Sequence, residues 1–343
     1  MTRLTIIRPD DWHLHLRDGA ALASVVTHSA RQFARAIIMP NLKPPITTVD
    51  DALAYRQRIL QALPNGMTFE PLMTLYLTET TALSEVEKAA SNSYIHAFKL
   101  YPAGATTNSD AGIGHLKGIY PLLEAMEKHD VPLLVHGEVT DTGIDIFDRE
   151  KIFIERELEP IVMQFPALRV VLEHATTRDA VQFVRGASER VAATLTAHHL
   201  LYNRSALLAG GIRPHFYCLP ILKRETHRLA LVEAATSGES KFFLGTDSAP
   251  HPRSQKESPC GCAGCYTAHA ALELYAEVFD AADKLENLEQ FASRNGPAFY
   301  RLPVNREIVS LEKVNWLVPN EYPFGEESVT PLRASETMIW KMV

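Results

Sequence analysis

Six residues able to hold a metal stand at or beside the ends of five separate apolar, strand-like runs. His13 and His15 come first, in Trp12-His13-Leu14-His15-Leu16. Lys99 closes Ala97-Phe98-Lys99, His136 closes Leu133-Leu134-Val135-His136, and His174 closes Val170-Val171-Leu172-Glu173-His174. Asp247 closes Phe242-Phe243-Leu244-Gly245-Thr246-Asp247. His13 and His15 are two apart, so an extended chain points both to one face. Four imidazoles, one carboxylate and one lysine brought to one face make a metal site, and these nitrogen and oxygen donors suit zinc. His-x-His alone is a weak signal, because two histidines often merely cap a strand. With 14 histidines among 343 residues, one falls at a given strand end by chance about 4% of the time. Repetition at two further strands, with an aspartate at another, is what carries the metal reading.

Lys99 needs a separate argument. An ammonium has no lone pair to offer a cation, and a core-facing lysine is ordinarily half of an ion pair. The neutral amine, however, adds carbon dioxide to give a carbamate, an anionic oxygen ligand that can bridge two cations. Two zinc ions bring four positive charges, against three negative ones from carbamate, Asp247 and a bridging hydroxide. The remaining positive charge suits an anionic substrate or a polarised carbonyl.

These residues converge only if the elements beneath them are parallel. Eight strand candidates lie near residues 5–15, 36–39, 69–77, 97–100, 133–136, 170–174, 191–195 and 242–246. Helix-like stretches alternate with them, as in Leu22 to Phe33, Ala52 to Leu63 and Ala180 to Arg185. Eight strands alternating with helices predict a closed (β/α)8 TIM barrel, in which all carboxyl ends share one face. Two long connections fall on that face, 102–114 and about 198–226, where long loops are usually functional. Gly104, Gly112 and Gly114 give the first hinge freedom, and its small polar residues supply little burial to hold it in place. After Tyr300 the pattern becomes short and proline-interrupted, which predicts a short C-terminal extension packed on the barrel. Length alone suggests about two domains, but α/β barrels often run this long, and residues 1–343 read as one metal-dependent hydrolase domain.

Composition excludes several classes. A net charge of −7 and a pI near 6.1 argue against a nucleic-acid binder. No apolar run approaches membrane-spanning length. The opening segment carries charge too early for a secretory leader, and four cysteines do not form a disulfide framework. The expectation is a cytoplasmic protein with no membrane partner.

The assembled motifs resemble the amidohydrolase superfamily in its binuclear, carbamylated-lysine form, and within it the shorter bacterial and yeast type of dihydroorotase. The resemblance rests on Asp11-Trp12-His13-Leu14-His15-Leu16-Arg17-Asp18-Gly19, Met39-Pro40-Asn41, Phe98-Lys99-Leu100-Tyr101-Pro102, His136-Gly137-Glu138, Glu173-His174 and Gly245-Thr246-Asp247-Ser248-Ala249-Pro250-His251. It covers essentially the whole chain. It implies two Zn2+ ions bridged by Lys99 as N6-carboxylysine, one also held by His13, His15 and Asp247, the other by His136 and His174. Asp247 would double as catalytic base. Arg17, Asn41 and His251 would clamp a substrate carboxylate, a task suited to arginine's planar fork. Thr106 and Thr107 would close over the substrate from the 102–114 loop. Leu219 and Ala263 would contact it through backbone groups, and His15 and His136 would face it. The implied reaction is reversible cyclisation of N-carbamoyl-L-aspartate to L-dihydroorotate in pyrimidine synthesis, by a homodimer. Hydantoinases and related cyclic amidases share the ligand scheme but are generally longer, and a carboxylate clamp has no purpose for a neutral hydantoin ring. A catalytically dead barrel kept as a binding partner would be expected to lack a ligand, and all six are present.

Cys260-x-Cys262-x-x-Cys265 suggests a zinc ribbon, but three thiolates without a second spaced pair fall short of one. The better reading is a glycine-bracketed loop near the substrate. His198-His199, after the seventh strand, are either groups supporting the site or simple packing.

Overall fold

The computed structural model describes residues 2–259 and 261–343. Strand β1 (Arg3–Ile7) is followed by eight parallel strands: β2 (Asp11–Leu14), β3 (Arg35–Ile38), β4 (Glu70–Tyr76), β5 (Ile95–Leu100), β6 (Leu133–Val135), β7 (Val170–Leu172), β8 (Val191–Leu195) and β9 (Phe242–Leu244). These eight pair in sequence order, β2 through β9, with helices between them, as predicted for a (β/α)8 barrel. The strands are buried on both faces and read as continuous apolar runs, as parallel sheets require.

Side chains alternate across a strand, and the barrel uses the alternation to stack two layers. Trp12, Ile37, Leu72, Ala97, Leu134, Val171, Ala192 and Phe243, one from each strand, form an apolar plug inside the barrel, with Phe299, Tyr300 and Leu302 packed against it. Two residues further along, the same inward phase delivers Lys99, His136, Glu173, Thr194 and Gly245. A register irregularity between Asp11 and Leu14 lets Trp12 stay in the plug while His13 joins the polar layer. A larger apolar shell lies between sheet and helices, fed by stripes such as Val49, Ala52, Tyr55 and Ile59 on helix Val49–Ala62.

The seam between β2 and β9 closes at their carboxyl ends. The Asp247 amide donates to the His13 carbonyl at 2.9 Å, and the His15 amide donates to the Ser248 carbonyl at 3.2 Å. Asp11 braces the seam from below, accepting from the amides of His13 and Thr246 at 3.1 and 2.8 Å and from the Thr246 hydroxyl at 2.6 Å.

The first predicted strand, 5–15, is two strands. Proline at position 9, with no N–H for a ladder, separates them. The earlier half, β1, pairs antiparallel with β10 (Ile308–Leu317). The C-terminal extension is more regular than its prolines suggested. β10 also pairs with β13 (Thr337–Met342), and β11 (Tyr322–Phe324) forms a hairpin with β12 (Glu327–Val329). No helix among the described residues is long and apolar enough to cross a membrane.

Candidate metal centre and active site

Five of the six expected ligands sit on or just beyond the ends of β2, β5, β6 and β7, and Asp247 follows β9. His13 Nε2 lies 3.2 Å from His15 Nε2 and 3.3 Å from Asp247 Oδ1, and His15 Nε2 lies 3.2 Å from the same oxygen. Three donors each about 2.0–2.1 Å from one tetrahedral zinc stand about 3.3 Å apart. The triangle therefore has the size of a zinc coordination face. The His174 ring completes the cluster, with its centroid 5.0 Å from that of His13 and 4.8 Å from that of His136. Its Nδ1 is buried without a hydrogen-bond partner among the described residues.

Lys99 is wholly buried and its amine is bonded to Glu173. Glu173 also stands 3.1 Å from His13 Nδ1, though not in hydrogen-bonding alignment. His136 Nε2 lies 3.0 Å from Glu138 Oε2. The sequence motifs assign no role to either Glu173 or Glu138. Nothing in their spacing separates them from ordinary buried carboxylates.

Burial and charge compete throughout the cluster. Burial alone would pull His13 down, but the Glu173 and Asp247 carboxylates overcome it and lift the imidazole to about 9. Burial would raise Asp247, yet His13 and His15 hold it well below the usual carboxylate range. Burial lowers His15 to about 4, and lowers Lys99 despite the opposing pull of Glu173. Without a metal, then, His13 carries the proton that a cation must displace. Asp11 is lifted by burial to about 7 against its hydrogen bonds from Thr246 and His13.

Local backbone conformation places these groups in ways no residue pattern announces. His174, Asp247 and Arg17 adopt φ of +42°, +43° and +59°. Such values are uncommon outside glycine, and where they cluster at a site the surroundings must hold them. Gly245 has a plain reason: a Cβ there would lie 2.7 Å from Thr194 Cβ and 3.1 Å from His13 Cβ.

Of the nine residues expected to touch a substrate, eight line one inner pocket: His15, Arg17, Asn41, Thr106, Thr107, His136, Leu219 and Ala263, together with His13, His174 and Asp247. The ninth, His251, lines the outer cleft, of ≈ 990 Å³, that leads to it. Arg17 Nε donates to the Pro250 carbonyl at 2.9 Å, and Arg17 Nη2 donates to His251 Nε2 at 3.0 Å. That His251 nitrogen is also 3.0 Å from the Ala263 carbonyl, so it serves one partner at a time. Burial and the neighbouring guanidinium press His251 down to about 2, which keeps it neutral beside Arg17. Tyr101, Ala249 and Gly264 also line the pocket and were not anticipated.

The 102–114 loop lies over this pocket. Asn41 Nδ2 donates to the Thr107 carbonyl at 3.3 Å, and Asn108 Nδ2 donates back to the Asn41 carbonyl at 3.1 Å. The loop was expected to have little to hold it, and this needs correction. Ser109 is fully buried; its hydroxyl donates to the Thr106 carbonyl at 2.6 Å and accepts from the Thr106 amide at 2.9 Å. Gly112 is no hinge: a Cβ there would lie 2.4 Å from the Tyr101 carbonyl oxygen. Cys260 lies outside the described residues. Cys262 lines the outer cleft, in keeping with a loop near the substrate, while Cys265 is buried. His199 is fixed by Thr196 at 2.7 Å and the Pro220 carbonyl at 2.9 Å, so it packs and supports; its neighbour His198 has no such partner among the described residues.

The model of the amidohydrolase family matches residues 5–306. A dihydroorotase of Cupriavidus taiwanensis is 65% identical over 339 residues, covering 99% of this chain and 98% of that protein. Among solved structures, a dihydroorotase from Campylobacter jejuni superposes with a TM-score of 0.92 at 37% identity, covering 100% of this chain and 98% of the other. A dihydroorotase from Saccharomyces cerevisiae, in complex with 5-fluoroorotic acid, has a TM-score of 0.92 at 32% identity, covering 100% and 99%.

Proposed function

The chain belongs to the amidohydrolase family, in its dihydroorotase group, and from that premise we propose that it catalyses the reversible, zinc-dependent cyclisation of N-carbamoyl-L-aspartate to L-dihydroorotate in pyrimidine biosynthesis. It is an enzyme that acts on cyclic amides. The observation that carries the finer reading is the union, in one pocket, of a zinc-sized donor triangle with an arginine placed to grip an anion.

In this reading His13, His15 and Asp247 would hold one Zn2+ and His136 and His174 the other, with Lys99, as its carbamate, a ligand to both. When bound, the pair of ions supplies Lewis acidity toward the ring amide carbonyl and lowers the pKa of a shared water. Carbamylation turns Lys99 from cation to anion and releases Glu173 from its ion pair. Glu173, 3.1 Å from His13 Nδ1, would then be free to turn and accept the Nδ1 proton's hydrogen bond, leaving Nε2 free to ligate. Asp247 takes the proton from the attacking water and returns it to the leaving ring nitrogen. In the synthetic direction it removes the proton from the ureido nitrogen instead.

Arg17, Asn41 and His251 receive the substrate carboxylate, with Thr106 and Thr107 closing from the loop above. Leu219 and Ala263 offer backbone groups to the ring. A homodimeric assembly and a cytoplasmic setting belong to the same proposal; sedimentation and fractionation test them separately. The chemistry is tested by assaying carbamoyl aspartate and dihydroorotate interconversion while counting zinc per chain. Two zinc ions with turnover in both directions is the expected result. Full metal occupancy with turnover only of a neutral hydantoin would overturn the substrate assignment.

A further inference from the structure

Behind the pocket wall, outside the ligand set above, three buried side chains from distant parts of the chain converge. They are His198, from the helix after β8, Cys218, and Cys265. Their ring nitrogen and sulfur atoms all lie within 4.8 Å of one another. Each is at most 2% exposed. Both thiols are free. The thiols make weak backbone contacts, Cys218 Sγ to the Pro220 carbonyl at 3.4 Å and Cys265 Sγ to the His215 carbonyl at 3.5 Å. Cys218 Sγ also lies 3.6 Å from His199 Nε2. Both ring nitrogens of His198 are buried and neither has a hydrogen-bond partner among the described residues. Buried side-chain nitrogens are in the large majority hydrogen-bonded, and packing among the described residues supplies no partner here.

We propose that His198, Cys218 and Cys265 form a second, separate metal site that takes one thiophilic d10 cation of the Zn2+ class. Two sulfurs and one imidazole are soft and borderline donors of the kind that select zinc over magnesium or calcium. Donors 2.3 Å from a tetrahedral zinc stand about 3.8 Å apart, so the cluster would close by no more than about an ångström on binding. Three protein ligands leave a fourth position for water. Both thiols release their protons as the cation enters, so two thiolates balance its charge. Lys256, whose ammonium donates to the carbonyls of Tyr217, Cys262 and Gly264 at 2.7, 2.7 and 2.9 Å, already ties the two loops together. Its positive charge favours thiolates in this region. The cation would add a second tie between the loops that carry Leu219 and Ala263 into the catalytic pocket.

The test uses reduced holoenzyme with zinc already in the catalytic centre, titrated with Cd2+. None of the proposed catalytic ligands is a thiolate, so exchange there gives no sulfur-to-cadmium charge-transfer absorbance. The expected result is one equivalent of Cd2+ per chain bound with that ultraviolet band. Cys262→Ser should leave the stoichiometry unchanged, whereas Cys218→Ser/Cys265→Ser should abolish the band. His198→Asn should weaken binding at least about tenfold while both thiols remain. No band from the wild-type protein at saturating Cd2+ would overturn the site without recourse to any variant. So would undiminished affinity in His198→Asn, or a Cys218–Cys265 disulfide as the resting state in non-reducing mass spectrometry.

Discussion

Lys99 has no exposed surface, and its amine is bonded to the Glu173 carboxylate in a layer otherwise made of imidazoles and hydroxyls. If the carbamate bridges two ions, Lys99→Ala should lose nearly all activity and most of its metal. A short carboxylic acid added to the assay should restore part of the turnover by standing in for the missing oxygens. A variant that kept both metals and parental activity would sink the bridge. Arg17 offers a sharper separation of roles, because it touches the pocket without being a ligand. Arg17→Met should weaken productive binding of both substrates by about 1.5–3 kcal/mol, the range for a charged hydrogen bond, with zinc content unchanged. Silent kinetics in this variant would remove the carboxylate clamp while sparing the hydrolase. At this scale the sequence was most legible, because ligand chemistry resides in side-chain type. What it hid were positions that depend on conformation. Glu173 looks like any carboxylate before a histidine, and the left-handed backbone at His174 and Asp247 leaves no mark in residue type.

Among the elements, parallel strands buried on both faces announce themselves as apolar runs, so seven of the eight barrel strands lay where expected. The first did not, because proline at position 9 splits a run that hydrophobicity alone joins. The 102–114 loop was legible by place but not by order. Its glycines suggested freedom, whereas Gly112 is demanded by contact with the Tyr101 carbonyl and Ser109 ties the turn together. The loop should accordingly act as a pre-shaped lid that moves as a unit. Thr106→Ala/Thr107→Val, or deletion of the loop, should cut kcat/KM severely with both metals still bound. Gly112→Ala should reproduce much of that loss by displacing the lid without touching a threonine. A loop-deleted enzyme working at the parental rate would show that closure contributes nothing.

For the molecule as a whole, the closing seam and the metal centre are one structure. His13, His15 and Asp247 supply both the proposed ligands and the main-chain bonds joining the first barrel strand to the last. Chelation should therefore lower Tm and accelerate hydrogen exchange first at the amides of His15 and Asp247; uniform loosening would contradict this. Acid should act elsewhere. Burial depresses His28 and His96 to about 4 and His269 to about 3, from 6.5. A depressed folded-state pKa contributes stability that is present above about 6.5 and lost as pH falls through about 4 and then 3. The urea midpoint of metal-free protein should decline across that window, and His28→Gln/His96→Gln should flatten part of the decline. An identical slope in the variant would refute the assignment. The seam also imposes an order on biosynthesis. Thr246 and His13, which bond across it, are 233 residues apart, so on a ribosome adding about 5–20 residues per second the first strand waits on the order of ten to fifty seconds for its neighbour. Throughout that interval a nascent barrel presents one unpaired, apolar edge, which is the surface a holdase chaperone would meet.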